Sequence, residues 1–390
     1  MKVNLKCSGL MAAYYAVHCV IFSYVTYYLA DIGISDLVIS FVISGACAAG
    51  AVIQIVVGRI ADSTMHWNWK KLLLLFGGIE LAIAVSRLFI HGDICELILY
   101  GLIMVVQLIM MPLVNLSGFD YTSKGMPVNY GVIRGVGSAA FAVASYITGK
   151  LTDNRGGRIV LTTTAVLTAA LLVVVFIMPD PGDPASQKQD ADTEKNKTKI
   201  TDFIKKYPAF FVISIGVTLI FVYHNMLAIF VIRVVEDVGG TGGNLGTSLA
   251  IASIMEIPIL FIYGFINRRV IKSSKLLLLI SCGLYIIRGV LYLFAGNVTM
   301  IYLIQLMQGV TYGLMVAAKA TYADECMEPE DKATGQAVMT FADAFGVVAG
   351  TFIGGALINY GGTRFMLLGG VIITVIGTLV TLLASVRKEK

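Results

Sequence analysis

The sequence predicts an all-α membrane protein of twelve spanning helices, arranged as two six-helix halves. Three observations lead there. Of 390 residues, 57% are hydrophobic and 14% charged, and the mean hydropathy is +0.83. An average soluble domain carries roughly 25% charged residues, so this chain cannot clothe a water-facing surface. Its apolar residues fall in runs close to the roughly 20 residues a helix needs to cross hydrocarbon. Those runs divide six and six around one polar stretch. An ordinary cytosolic enzyme, a secreted disulfide scaffold and a disordered chain are excluded.

The spans are read at 8–30, 36–58, 72–90, 97–120, 130–149 and 159–178, then at 208–232, 244–266, 276–295, 299–321, 334–357 and 365–386. The first is too long for a removable signal peptide and lacks a small-residue cleavage site, so it reads as an anchor. The stretch 179–206 opens with Pro179, Asp180, Pro181, Gly182, Asp183 and Pro184 and continues in Lys, Asp and Gln, a solvated linker composition. The expected organisation is a bundle over 1–178, a cytoplasmic linker over 179–206 and a second bundle over 207–390.

Placing the first terminus inside puts most of the 29 Lys and Arg on inner segments. The outer ones are Lys150, Arg155, Arg158, Arg233 and Arg364, so the 150–158 loop runs against the trend. The excess satisfies the positive-inside rule with both termini cytoplasmic, in a plasma membrane protein. The six cysteines show no paired spacing and the four histidines are scattered, so neither a disulfide framework nor a metal site is expected. No nucleophile elbow, phosphate loop or zinc-protease helix occurs, and no cofactor or enzymatic activity is expected.

The halves echo each other. Asp31-Ile32-Gly33 matches Asp237-Val238-Gly239 at an offset of 206, which also carries Gly58 onto Gly264 and Ile60 onto Ile266. Gly156-Gly157 matches Gly361-Gly362, and Gly149 matches Gly354, at 205. Six spans per half give both repeats one direction through the membrane, as parallel repeats about its normal.

Ionised groups within spans are costly and mark function or a partner. They are Glu80, Arg87, Arg134, Glu256, Arg288, Lys319 and Asp343. Arg134 stands among Gly135, Gly137 and Ser138, which allow close helix approach, and its guanidinium suits hydroxyls or carboxylates. Phe141 lies nearly two turns on, along the same face. Glu256 precedes Pro258, where the helix backbone is weakened. In apolar surroundings a carboxyl is held more cheaply as the neutral acid, which suits Glu256 to proton exchange. Arg288, Lys319 and Asp343 would neutralise one another and Glu256, with Lys319 the expected partner of Asp343. Glu80 and Arg87, seven apart, read as a structural or peripheral pair.

Gly58-Arg59-Ile60-Ala61-Asp62 with Lys70 and Lys71 resembles the signature between the second and third helices of the major facilitator superfamily, which would make Gly58 and Asp62 part of a conformational switch. Tyr130–Ser138 resembles the fifth-helix motif of its oligosaccharide:proton and nucleoside:proton symporters, the lactose permease-like branch. Ile254-Met255-Glu256-Ile257-Pro258 and Tyr285-Ile286-Ile287-Arg288 resemble their eighth and ninth helices, and His224-Asn225 their seventh. The resemblance implies that Arg134, Asn115, His224, Asn225 and Gln308 contact solute, with Phe141 as a stacking platform. It implies proton coupling through Glu256, with Arg288, Lys319 and Asp343 around it. Asn115 and Gln308 stand where the lactose permease carries an acid and a histidine, so its sugar-binding and coupling details do not transfer whole.

The function expected is proton-driven symport of a small polyhydroxylated solute, a sugar or nucleoside, by a monomer with no nucleic-acid partner. An efflux antiporter for amphipathic compounds and a transport-dead sensor are the alternatives. Gradient-driven uptake, expulsion, or binding without flux separates the three.

Overall fold

A computed structural model describes residues 2–63, 68–90, 92–123, 130–179 and 200–386. Among these there are fourteen helices and no strand. They are α1 (Lys2–Ser23), α2 (Val25–Asp31), α3 (Asp36–Ser63), α4 (Trp69–Ser86), α5 (Asp93–Ser123), α6 (Tyr130–Arg155), α7 (Ile159–Ile177), α8 (Ile200–Lys206), α9 (Pro208–Asp237), α10 (Gly242–Phe265), α11 (Ser274–Leu293), α12 (Val298–Gln305), α13 (Leu314–Cys326) and α14 (Lys332–Val386). Two short π-helical segments interrupt the order, Ile266–Val270 after α10 and Gly309–Gly313 between α12 and α13.

The twelve expected spans are all present. Tyr24 breaks the first into α1 and α2. The π turn divides the tenth. α14 supplies the last two, because Gly361 and Gly362 leave helical geometry in its middle, Gly362 at φ 75°. α4 carries three charges, Lys70, Lys71 and Glu80, among its 18 residues. Most of the 179–206 linker, residues 180–199, lies outside the described residues, and its end is ordered as α8. There Lys206 binds Glu328 and Asp331 at 2.7 Å each, and Tyr207 donates to Asp331 at 2.9 Å. Those two carboxylates hold the Lys206 ammonium above the usual lysine range.

The chain forms two compact units. One is built from α1 to α7 with Ile229–Ile254, the latter parts of α9 and the first of α10. The other holds α8, the start of α9, and everything from Met255 onward. In the first unit α1 packs on α5, α6 and α7, α3 on α5, and α4 on α5 and α7. In the second, α11 packs on α13 and α14, which also meet. Large apolar side chains left exposed on both units, such as Val52, Ile147, Val173, Phe261, Ile287 and Leu383, are those a membrane protein turns to hydrocarbon.

The sequence repeat is visible in the backbone. Gly33 (φ 90°) ends α2 with its N–H on Ala30 O and the N–H of Ile34 on Leu29 O. Gly239 (φ 77°) ends α9 with its N–H on Glu236 O and the N–H of Gly240 on Val235 O. Both are Schellman caps, and every member of one lies 206 residues from its mate. Gly156 (φ 71°) and Gly362 (φ 75°) keep the same offset. The register at the end of each half is therefore one residue away from the Gly156–Gly361 pairing read from sequence.

Charges around the connections are matched locally. In the first unit Asp36 accepts from Nε and Nη2 of Arg233 at 2.9 Å each, and Nη1 of the same arginine reaches Glu236 at 2.9 Å. Asp153 caps α10 through the N–H of Gly243 at 2.7 Å, and Asp31 accepts from the N–H of Gly157 at 3.2 Å. Arg158 lines a cavity of about 450 Å³ with Asp31, Asp93 and Glu96. Arg158, one of the cations of the 150–158 loop that oppose the charge bias, thus sits among acids.

Within the same unit α6 and α10 meet at glycines. A Cβ on Gly149 would lie 2.7 Å from Gly242 O and 2.9 Å from Gly246 Cα; one on Gly246 would lie 2.3 Å from Ser145 O. Such contact between backbones needs both side chains absent. Gly246→Val is expected to destabilise the protein by about 1–3 kcal/mol through overpacking, read as a lower Tm in detergent.

Candidate functional site

In the first unit the polar groups of α1, α5 and α6 interlock. The Tyr14 hydroxyl donates to Gln107 O at 2.9 Å, and Gln107 Nε2 returns a bond to Tyr14 O at 3.2 Å. Arg134 lies in the second turn of α6, half-buried. Its Nη1 donates to Ser138 Oγ one turn on, at 3.0 Å, and its guanidinium lies 4.3 Å from the centre of the Tyr15 ring. Small neighbours make room for this: Gly137 stands where a Cβ would meet Met11 and Tyr15 at 2.9 Å. Phe141 follows on the same face of α6, half-buried, and Asn115 lies on α5 just beyond Pro112, also half-buried.

Glu80 and Arg87 do not pair, contrary to the expectation from their spacing. Glu80 is fully buried and accepts from Thr168 Oγ1 of α7 at 2.9 Å. Arg87 caps α4, turns to Glu96 of α5 at 3.1 Å and lies 4.2 Å from the Tyr100 ring. Arg87 keeps helical backbone as the C-cap of α4, its N–H on Ile83 O, so the pair fails because each side chain finds a partner on another helix.

In the second unit the π turn Gly309–Gly313 organises the polar groups. Gln308, just before it, donates from Nε2 to Glu256 Oε1 at 2.9 Å. Arg288 is buried; Nη2 donates to Gln305 Oε1 at 2.7 Å and Nη1 to Thr311 Oγ1 at 3.2 Å. From the tenth span Gln305 serves the arginine and Gln308 the acid. Lys319 donates to both carboxylate oxygens of Asp343 and lies 4.5 Å from the Phe221 ring. His224 is bonded to the Tyr285 hydroxyl at 3.2 Å and stacks on Tyr312 at 4.5 Å. Asn225 spends its amide on Phe221 O of its own helix, at 2.8 Å. Gly58 lies on α3, half-buried, whereas the side chain of Asp62 lies outside the described residues.

Residues 5–368 match the MFS_1 like family. The chain belongs to this family. It is a major facilitator superfamily protein, a multi-pass membrane transporter and not an enzyme. The MFS_1 like chain shares its fold with the nucleoside transporter NupG, at a TM-score of 0.79 and 17% identity over 100% of both chains. A mutant of NupG matches at 0.83 and 14% identity, over 98% of this chain and 99% of that one. A bacterial homologue of the human lysosomal transporter Spinster, inward-facing and unoccupied, matches at 0.74 and 15% identity, over 98% and 96%. At these identities the likeness concerns fold alone. No curated protein matches the sequence.

Sequence reasoning offered Gln305 only as neutral lining and missed Thr311 and Tyr312, which the π turn brings to Arg288 and His224. Gly309 and Gly313, bracketing that turn, were the available signal. It also missed Tyr15 and Phe221 as the rings beneath Arg134 and Lys319.

The Lys319–Asp343 pair yields a test. The side chain of Lys319 is 7% exposed and that of Asp343 39%. Lys319→Ala should destabilise by about 2 kcal/mol, less than the roughly 3–5 kcal/mol of a fully buried pair, because water still reaches the carboxylate. Removing both partners together should recover at least half of that loss of Tm.

Proposed function

We propose that this MFS_1 like transporter is a proton-coupled symporter of a small ring-bearing, polyhydroxylated solute, with nucleosides the first class to test. The observation that carries the reading is the bond from Gln308 to Glu256. A carboxyl within a span is held by a neutral amide donor, beside Pro258 and next to a π turn. An amide serves the ionised and the protonated carboxyl alike, donating to one and accepting from the other. Glu256 can therefore load and release a proton without losing its partner. Arg134, Phe141 and Asn115 on one unit, and His224, Asn225 and Gln308 on the other, are the proposed solute contacts. Arg288 and the Lys319–Asp343 pair set the field around Glu256. Gly58 and Asp62 belong to the conformational switch.

The likeness to the nucleoside transporter NupG supports the choice of solute. The Lys and Arg distribution supports residence in the plasma membrane with both termini cytoplasmic. Transport would proceed as a monomer by alternating access.

In proteoliposomes, an inward proton gradient should drive accumulation of radiolabelled uridine. Glu256→Gln should abolish accumulation and spare exchange of uridine across the bilayer; unchanged accumulation would reject Glu256 as the carrier. Arg134→Ala should weaken uridine binding at least about tenfold, a charge-assisted contact of roughly 1.5–3 kcal/mol, with Tm preserved. Retained affinity would make Arg134 structural.

A further inference from the structure

The 206-residue offset joins more than turns. It carries Tyr15 onto Phe221 and His18 onto His224. Each histidine is boxed by three aromatic rings. His18 has Tyr14 at 5.9 Å, Tyr15 at 6.1 Å and Phe22 at 4.5 Å, the last stacked at 23°. His224 has Tyr285 at 5.9 Å, Phe221 at 6.0 Å and Tyr312 at 4.5 Å, the last stacked at 12°. In each box the ring three residues before the histidine carries a cation: Arg134 at 4.3 Å from Tyr15, and Lys319 at 4.5 Å from Phe221.

The helices supplying the parts differ. The closest ring comes from α1 itself in the first box and from the π turn of the tenth span in the second. The cations come from α6 and α13. Duplication of the sequence alone would preserve only the histidine and the ring before it. Arriving at the same arrangement with different donors points to a shared task.

Both histidines are half-buried. Nδ1 of His18 is buried and has no hydrogen-bond partner.

We infer that His18, boxed by Tyr14, Tyr15 and Phe22 beside Arg134, is a solute-binding residue of the first unit, equivalent to His224 in the second. The box suits a flat ring bearing hydroxyl or carbonyl groups. Aromatic faces take the ring, the imidazole offers one donor and one acceptor, and the neighbouring cation adds donors. This rests on the ring-bearing solute of the proposed function, and it adds to that site a histidine and its box.

The test uses the full chain in lipid nanodiscs, with uridine and methyl β-D-galactoside as probes, and records affinity and Tm for each variant. At least one probe should bind. His18→Ala should weaken that binding about tenfold, as should His224→Ala, with Tm preserved. His18→Gln keeps a donor and an acceptor without the flat ring; it should lose less, and it serves if the alanine variant does not fold. Wild-type affinity in a folded His18 variant overturns this inference and leaves the proposed function standing. Failure of the wild-type protein to bind either probe overturns both.

Discussion

Hydrocarbon offers no partner to a polar group, and this constraint governs how the chain spends its few charges. Arg87 lies on Tyr100 and against Glu96, Arg288 is held by Gln305 and Thr311, and Lys319 grips Asp343. Buried threonines meet the same demand at smaller scale: Thr164, Thr374 and Thr381 return their hydroxyls to the carbonyl four residues back. Because each of these cations finds its partner on another helical segment, the polar groups also fix which helices are neighbours.

The same constraint separates two kinds of intramembrane acid. Asp343 is matched by full charge and Glu256 by a neutral amide. A charge-matched acid is costly to protonate, because its cation would be left behind. An amide-bonded acid changes state at less cost. This difference in partners, more than depth or sequence position, distinguishes the acid suited to cycling from the acid suited to holding helices together.

The architecture was legible in sequence because hydropathy and spacing are sums over many residues. Twelve spans and the offset of 206 survive errors of a few residues at any boundary. Pairings were less legible, since they depend on the rotation of single side chains. Asp343 and Lys319 could be matched as the two charges lacking local relief. Glu80 and Arg87 could not be assigned, because the true partners, Thr168 and Glu96, sit on other helices. Thr311 and Tyr312 escaped for another reason: they lie in the π turn, where ordinary helical periodicity places them wrongly.

That last failure has a geometric root. Gln308 and Lys319 stand eleven residues apart, close to three turns at about 3.6 residues each, so a regular helix would point them the same way. A π turn holds more residues per revolution, and the five from Gly309 to Gly313 advance the helix out of phase. Gln308 therefore looks toward α10 while Lys319 looks toward α9 and α14. One span serves two neighbours because its azimuth is reset midway, by a change to which a hydropathy profile is almost blind.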